Sequence, residues 1–282
     1  MSSLGKHFLS AVLLLVFGMP ALWADETFKV HGIFRSNMVL QRDKPIRIWG
    51  FAKPGDSVRV TLGDLAEESP AIAYRNPYGN WSVTFDPQPA NTTGQSLVVE
   101  CGDQRIEMSN ILIGDIWVMN GQSNMAFALK AVYEAQFEAS MAHIPLMRHI
   151  RINAGAESEH EETDLADEFI NGNSADKNWQ MVTPEVALEM GAIGYFFGSR
   201  LQRSLQVPIG IIDNARGGAS LESLVPRHKF AEDPLATEYL KWVDQRNAEF
   251  SEEDFLQAQM DRWQQNHDKW KAQVAADKVK GK

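Results

Sequence analysis

The stretch ILIGDIWVMNGQSNMAFAL, residues 111–129, constrains the fold of this chain more than any other part of it. The apolar residues up to Met119 predict a buried strand, and the residues after the turn are good helix formers. Gly121 and Ser123 lie in the turn between them. A strand, a tight glycine turn and a helix start raise a serine hydroxyl clear of a sheet edge, with the serine amide in the first helical turn.

Ser123 has two interpretations at this position. As a nucleophile it would attack an acyl carbon, and unpaired amides of the first helical turn would stabilise the oxyanion. As a capping residue, Ser123 or its neighbour Asn124 would only satisfy a free N–H group at the helix start. The local pattern alone favours the cap, because Gly-x-Ser triplets are common.

The chain after this stretch alternates between strand and helix patterns. The expected elements are a helix at Met125–Ser140, a strand at Leu146–Ile152, a helix at Leu188–Leu205 and a strand at Ile209–Asp213. Such alternation predicts a parallel α/β sheet with right-handed crossovers. Ligands of these sheets bind outside the carboxyl ends of the strands, where Ser123 and the segment that begins at Asn214 both fall.

The region between Phe28 and Ser109 has a different pattern, with short alternating strands separated by turn residues. This spacing predicts an antiparallel β-sandwich. Trp49, Tyr78 and Trp81 offer a possible carbohydrate-binding surface there, although packing in the core and in turns is the interpretation that we prefer. The predicted fold class is therefore α/β, with a sandwich domain at residues 25–109 and a parallel-sheet domain at residues 110–282.

Residues 1–24 have the layout of a secretory signal peptide. Lys6 precedes the apolar run Phe8–Phe17, and a stretch ending in Ala24 follows. The protein is expected to be secreted or periplasmic, without membrane insertion after cleavage, because no later stretch is long and apolar enough to span a bilayer. The single cysteine, Cys101, rules out an internal disulfide and fits a buried strand position.

Charge excludes some partners and ligands. The net charge of −10 argues against a nucleic-acid partner, because phosphate binding needs a basic patch. Seven carboxylates lie within Glu157–Glu168 and could be taken for a Ca²⁺-binding loop. The spacing of oxygen ligands and the glycine that an EF-hand loop requires are missing from this segment. A solvated loop is the better interpretation, and no metal site is predicted.

The segment Asp213–Ser220 directly follows a predicted strand and contains Gly217 and Gly218. Paired glycines let a backbone approach a ligand closely and offer unhindered N–H donors. Beside a serine nucleophile, this turn would supply the second part of an oxyanion hole. An ordinary Gly-Gly turn is the alternative. A phosphate site is excluded because no Lys-Ser/Thr pair follows the glycines.

A serine nucleophile also needs a base, normally a histidine, and a group that orients the base. The base cannot be chosen from sequence, since only His267 has a neighbouring aspartate, and that signal is weak. The histidines are His7, His31, His143, His149, His160, His228 and His267.

The string Gly121–Met125 (GQSNM), preceded by Gly114–Trp117 (GDIW), resembles the first block of the sialate O-acetylesterase family. That family is a carbohydrate-esterase branch of the SGNH (GDSL-like) hydrolases. Further similar segments are Asn37–Arg42, Trp49-Gly50, Gly79–Val83, Ala192–Leu201, Val207–Gly210 and Gly217-Gly218. The resemblance extends to about Pro226, over the first half of the family's length. The family's later Gln-Gly-Glu and Asp-x-x-His patterns do not occur in this sequence.

The resemblance implies an SGNH-type hydrolase domain in which Ser123 attacks the acetyl group of an O-acetylated sugar. The amides of Ser123 and of Gly217 or Gly218 would bind the oxyanion, and an acetyl-serine would form without any metal or organic cofactor. The side chains implied in substrate binding are Gln122, Asn124, Asn214 and Glu222. Leu224 replaces a family tryptophan, which alters part of the substrate pocket.

Three functions follow as hypotheses. The first is a secreted sugar O-acetylesterase; if Lys282 is the true end, the chain alone is expected to be nearly inactive, because general-base activation contributes ~10²–10⁴-fold in rate. The second is a non-catalytic glycan-binding protein with a degenerate or truncated hydrolase domain. The third, a general lipase or arylesterase, is disfavoured by the GQSNM string and the predicted sandwich.

Overall fold

The computed structural model describes residues 28–75, 78–152, 164–225 and 227–279. The predicted signal peptide and most of the acidic segment therefore lie outside the described residues. The chain divides into two units, Met1–Gly217 and Gly218–Lys282.

The first unit contains the sheets and the second is helical in its described part. The strands are β1 (Lys29–Val30), β2 (Val39–Gln41), β3 (Ile46–Ala52), β4 (Ser57–Leu62), β5 (Leu65–Pro70), β6 (Ile72–Arg75), β7 (Tyr78–Phe85), β8 (Asn91–Cys101), β9 (Gln104–Gly121), β10 (Ile144–Arg151), β11 (Gln180–Val182) and β12 (Ile209–Ala215). The helices of the first unit are α1 (Ser123–Ala126), α2 (Ala135–Ser140), α3 (Pro184–Glu189) and α4 (Ala192–Leu205). Those of the second unit are α5 (Arg227–Ala231), α6 (Pro234–Ala248) and α7 (Glu252–Val279).

Two sheets organise the first unit. A four-stranded antiparallel sheet has the order β1-β3-β7-β6. An eight-stranded sheet has the order β11-β10-β12-β9-β8-β4-β5, with β2 also paired to β9. Its central strands β10, β12 and β9 are parallel, and its flanking pairs are antiparallel. The mixed α/β class predicted from the sequence is confirmed.

Strand β9 links the antiparallel and the parallel parts of the larger sheet. Its first half pairs with β8, whereas Asp115–Gly121 pair with β12. Residues 111–114 are all buried, as expected for a strand that is covered on both faces. The predicted domain boundary between residues 109 and 110 falls inside this strand. The apolar sequence predicts that β9 is buried up to Met119, but the side chains of Trp117 and Val118 are 43% and 55% exposed.

Two hydrophobic clusters lie on opposite faces of the parallel strands, because side chains alternate along a strand. Met147 and Ile211 pack in the cluster that α4 covers, together with Tyr195 of that helix. Ile150, three residues beyond Met147, packs in the other cluster with Ile111 and the core of the antiparallel sheet. Cys101 is buried in β8, as expected, and burial raises the pKa of its thiol.

The prediction of one continuous helix at Met125–Ser140 is wrong. The segment consists of the end of α1, a 3₁₀ turn at Leu129–Ala131 and α2. Ala128 forms a β-bridge with Gly191 instead of continuing the first helix. The amide of Leu129 donates to the carbonyl of Met190, and the amide of Ala192 donates to the carbonyl of Phe127. The same bonds divide the helix predicted at Leu188–Leu205 into α3 and α4.

The described part of the tail after residue 230 consists mainly of the helices α6 and α7. Along α7, apolar or aromatic side chains recur at spacings of three and four, and Trp263, His267 and Trp270 stack on one another. Trp263 and Trp270 are 62% and 61% exposed. Across the described ranges, no helix is both long and apolar enough to cross a membrane.

Gly114 offers a test of the packing around β9. A Cβ atom there would lie 2.0 Å from the carbonyl oxygen of Pro208, so Gly114→Ala forces two backbones apart. We expect the free energy of unfolding to fall by about 1–3 kcal/mol in urea titrations. The matched control is Gly217→Ala, whose Cβ would make an ordinary contact of 3.9 Å with Ser123 Cβ. Equal unfolding midpoints for the two variants would contradict this packing.

Candidate active site

Ser123 lies just beyond the carboxyl end of β9, where the chain turns into α1. Gly121 makes this turn possible, because its φ of +144° is in a region that side chains disfavour. The carbonyl of Gly121 accepts a hydrogen bond of 3.0 Å from the amide of Arg216. The turn that carries Ser123 is thus fixed to the segment that follows β12.

The capping interpretation of Ser123 and Asn124 is wrong, because the N-cap of α1 is Gln122 and no side chain caps this helix. The carbonyl of Gln122 accepts the amides of Met125 and Ala126. As the first helical residue, Ser123 has no acceptor for its own amide within α1. Its exposed Oγ lies 3.5 Å from Gln122 Oε1, at the limit of a hydrogen bond.

The end of β12 brings a second segment to the same sheet edge. Asn214 is in register with Asn120, and Ala215 with Gly121. Gly217 follows, and a Cβ atom built on it would lie 3.9 Å from Ser123 Cβ. The parallel pairing therefore makes Ser123 and Gly217 neighbours, as the predicted site requires of them.

The remaining predicted site residues differ in their surroundings. Gln122 and Asn124 are exposed, and Asn214 is half-buried at the end of β12. Gly218 and Glu222 belong to the second unit. Gly218 has a φ of +80°, which favours glycine, and Glu222 begins a 3₁₀ turn at Glu222–Leu224. The backbone amide of Glu222 and the side chain of Ser220 lower the pKa of Glu222.

A buried charge cluster beside the site has no counterpart in the sequence prediction. Asp213, only 3% exposed, accepts hydrogen bonds of 2.8 Å from Arg151 Nη2 and 3.2 Å from the amide of Gly191. Arg151 also donates to the carbonyl of Glu189 at 2.6 Å. One carboxylate thus joins β10, β12 and the link between α3 and α4. The only signal in the sequence is an aspartate at a strand end.

Opposing effects set the ionisation of this cluster. Burial raises the pKa of Asp213, but His149 and Arg151 together lower it to about 2. Arg151 is the stronger partner, because His149 Nε2 is 3.7 Å from the carboxylate, beyond a normal hydrogen bond. Burial lowers the pKa of His149 more than Asp213 raises it, so this histidine is neutral at pH 7.

None of the described histidines of the first unit lies at the carboxyl edge of the parallel strands. His149 is in register with Trp117, four residues before Gly121, which places it ~13 Å along the sheet. His143 precedes β10 at the opposite edge, and His31 lies beside the four-stranded sheet. His7 and His160 are outside the described residues. Within those residues, no group of three or more His, Cys, Asp or Glu side chains is arranged to hold a metal ion.

The buried Asp213 predicts a loss of stability in acid. Because its pKa of about 2 lies below the ordinary 3.8, the ionised carboxylate stabilises the fold above about pH 4, and this contribution is lost as the pH falls toward 2. The difference corresponds to about 2 kcal/mol. In urea titrations, Asp213→Asn should lower the free energy of unfolding at pH 6, and its difference from wild type should shrink by pH 3.

The control for this measurement is Asp103→Asn, in the exposed turn between β8 and β9. It should follow the wild-type protein at every pH. A deficit of Asp213→Asn that stays constant from pH 6 to pH 3 would show that its carboxylate contributes no ionisation-linked stability.

The sequence is similar to those of several known proteins. No protein-family model matches the chain. The sialate O-acetylesterases of Homo sapiens and Pongo abelii are each 28% identical to it over 217 residues, which is 72% of this chain and 40% of theirs. The Rattus norvegicus sialate O-acetylesterase is 28% identical over 223 residues, 75% of this chain and 40% of its own length.

A solved structure agrees with the sequence relatives. A carbohydrate acetylesterase from Xanthomonas citri superposes with a TM-score of 0.60 at 26% identity, covering 69% of this chain and 41% of that one. The chain thus spans about two fifths of the length of the relatives it matches. The resemblance to sialate O-acetylesterases read from the GQSNM string is confirmed over nearly three quarters of the chain.

Proposed function

We propose that this chain belongs to an exported serine esterase that removes O-acetyl groups from sugars. The observation that carries the proposal is the position of Ser123 on a strand–turn–helix beside Gly217. The relatives with which the chain shares this region are named as sialate O-acetylesterases and a carbohydrate acetylesterase. Because the chain spans about two fifths of their length, the activity is proposed for the whole protein.

In the proposed reaction, Ser123 Oγ attacks the acetyl carbonyl and gives up its proton to a base. The amides of Ser123 and of Gly217 or Gly218 stabilise the oxyanion of the tetrahedral intermediate, where one such donor is worth ~3–4 kcal/mol. Collapse breaks the ester bond, and the base returns the proton to the departing sugar oxygen. Water then hydrolyses the acetyl-serine and releases acetate, with the same group as base.

The sugar is proposed to lie over the exposed edge of the parallel strands. The amide side chains of Gln122, Asn124 and Asn214 suit this role because each can both donate to and accept from a hydroxyl group. For Glu222, a role in substrate binding is what the family resemblance implies.

The base is proposed to come from a part of the protein other than the described residues of the first unit. His149 is unsuited to the role because it is buried, neutral and ~13 Å along the sheet from the turn that carries Ser123. The family resemblance suggests an Asp-x-x-His segment for this role.

The finer architecture is also part of the proposal. We infer a sandwich-like antiparallel region, supported by the four-stranded sheet and by β8, β4 and β5, and an SGNH-type parallel core formed by β10, β12 and β9. These two regions share β9. Export after cleavage behind Ala24 is supported by the apolar run Phe8–Phe17.

The test replaces Ser123 by alanine in the protein expressed from its complete coding sequence. We expect Ser123→Ala to lower the rate of acetate release from an O-acetylated sialic acid by at least ~10³-fold, because the variant lacks the hydroxyl group proposed to accept the acetyl group. Ser140→Ala, at the exposed end of α2, is the matched control and should keep the wild-type rate.

Two results would contradict the proposed esterase function. Equal acetate release by wild type and Ser123→Ala would remove Ser123 from the mechanism. If neither protein releases acetate while both bind the sugar, the non-catalytic glycan-binding function replaces the proposal. The observation that favours this second candidate is the lack of a histidine near Ser123 among the described residues of the first unit.

A further inference from the structure

A cleft of about 550 Å³ lies on the four-stranded sheet. None of the residues predicted for the esterase site lines it, but Trp49 and Trp81, two of the aromatic residues considered above for carbohydrate binding, do. Its floor comes from neighbouring strands, because Trp49 of β3 is paired with Ser82 of β7, and Phe51 with Asn80. His31 and the end of β5 also line the cleft.

Two aromatic side chains form the apolar part of this floor. Trp49 and Phe51 are two residues apart on one strand, so they share a face and are ~7 Å apart along it. Phe34 packs edge to face on Trp49, with 4.5 Å between the ring centroids. The centroid of the His31 ring lies 5.4 Å from that of Trp49. These contacts hold the indole in place. Fixed indole and phenyl rings offer flat apolar surface with little loss of side-chain entropy on binding.

The cleft has a positive charge in a chain that is otherwise acidic. The Arg47 guanidinium lies over the Trp49 ring, 5.9 Å from the ring centroid, in a cation–π contact. Among the described carboxylates, none forms an ion pair with it. No carboxylate is found among the described residues that line the cleft. Lys29, next to Phe51, is already paired with Asp164 at 2.8 Å. On a chain with a net charge of −10, this local field favours an anionic ligand.

The floor also contains an unused hydrogen-bond acceptor. Asn80 Oδ1 is buried and has no hydrogen-bond partner within the described part of the chain. Most buried polar atoms are satisfied, so such an atom calls for an explanation. Because Asn80 also lines the cleft, a ligand hydroxyl group is a candidate donor to this oxygen.

We propose that this cleft binds an acidic sugar unit, with its ring against Trp49, its carboxylate paired with Arg47 and a hydroxyl donating to Asn80. An aromatic surface, a guanidinium that has no ion-pair partner among the described carboxylates and an amide together match a sugar that has an apolar ring face, a carboxylate and hydroxyls. That the ligand is part of the same glycan that Ser123 deacetylates rests on the proposed function. The cleft then holds a glycan at a point separate from the reacting acetyl group.

The test compares two ligands that differ in one charge, N-acetylneuraminic acid and its methyl ester. Binding is measured by calorimetry on the complete protein in the Ser123→Ala background, which excludes turnover. We expect the acid to bind at least about tenfold more tightly than the ester, because a charge-assisted pair with Arg47 is lost in the ester.

Variants assign the binding to the cleft. Arg47→Gln should weaken binding of the acid about tenfold and leave the ester unchanged, and Trp49→Ala should weaken both ligands. Arg59→Gln, an exposed arginine of β4 outside the cleft, is the matched control and should bind like the parent. Because Arg47 is on the surface, its variant should keep the unfolding midpoint even if Trp49→Ala does not fold.

The outcomes separate this proposal from the esterase. Three results would each overturn the cleft assignment, whether or not the protein releases acetate. They are equal affinity for the acid and the ester, absence of binding, and an Arg47→Gln variant that binds like the parent. Preferential binding of an acidic peptide at the cleft would overturn it as well. If binding depends on Arg47 but no protein with Ser123 intact releases acetate, the cleft stands and the proposed function fails.

Discussion

The carboxylate of Asp213 is the interaction on which the candidate site depends most. It is held by Arg151 of β10 and by the amide of Gly191, and Arg151 reaches on to Glu189. Gly191 is in turn bridged to Ala128, just after α1. One buried charge thus connects two parallel strands and the link that packs against the end of the serine helix. Breaking one partner of such a buried pair is far more disruptive than replacing both, because it leaves a charge without compensation.

Most of the parallel sheet could be predicted from sequence because its strands are covered on both faces and so form apolar runs. Residues 111–114 and the strand beginning at Ile209 gave clear patterns, and the glycine turn before Ser123 needed no knowledge of the rest of the fold. The exposure of Trp117 could not be foreseen, because it depends on how far α4 covers the sheet, and it is Phe197 of that helix that contacts the indole edge to face.

The helix boundaries and the charge cluster could not be predicted for a different reason. Both depend on contacts between segments that are far apart in the chain. Ala128 and Gly191 pair although 63 residues separate them in the chain. Arg151 and Asp213 are 62 residues apart. Helical periodicity is a local signal and does not register a β-bridge that competes with the next helical turn. An aspartate at a strand end likewise reads as a turn residue until its partner is known.

Strand β9 limits how the first unit could be divided into exchangeable segments. It supplies its first half to the antiparallel region and its second half to the strand that ends at the serine turn. An exchange of gene segments between residues 109 and 110 would join half a strand to a foreign partner and leave three consecutive core residues, beginning at Ile111, without their neighbours. The antiparallel region and the serine turn therefore form one structural unit, because neither can be replaced without disturbing the strand that they share.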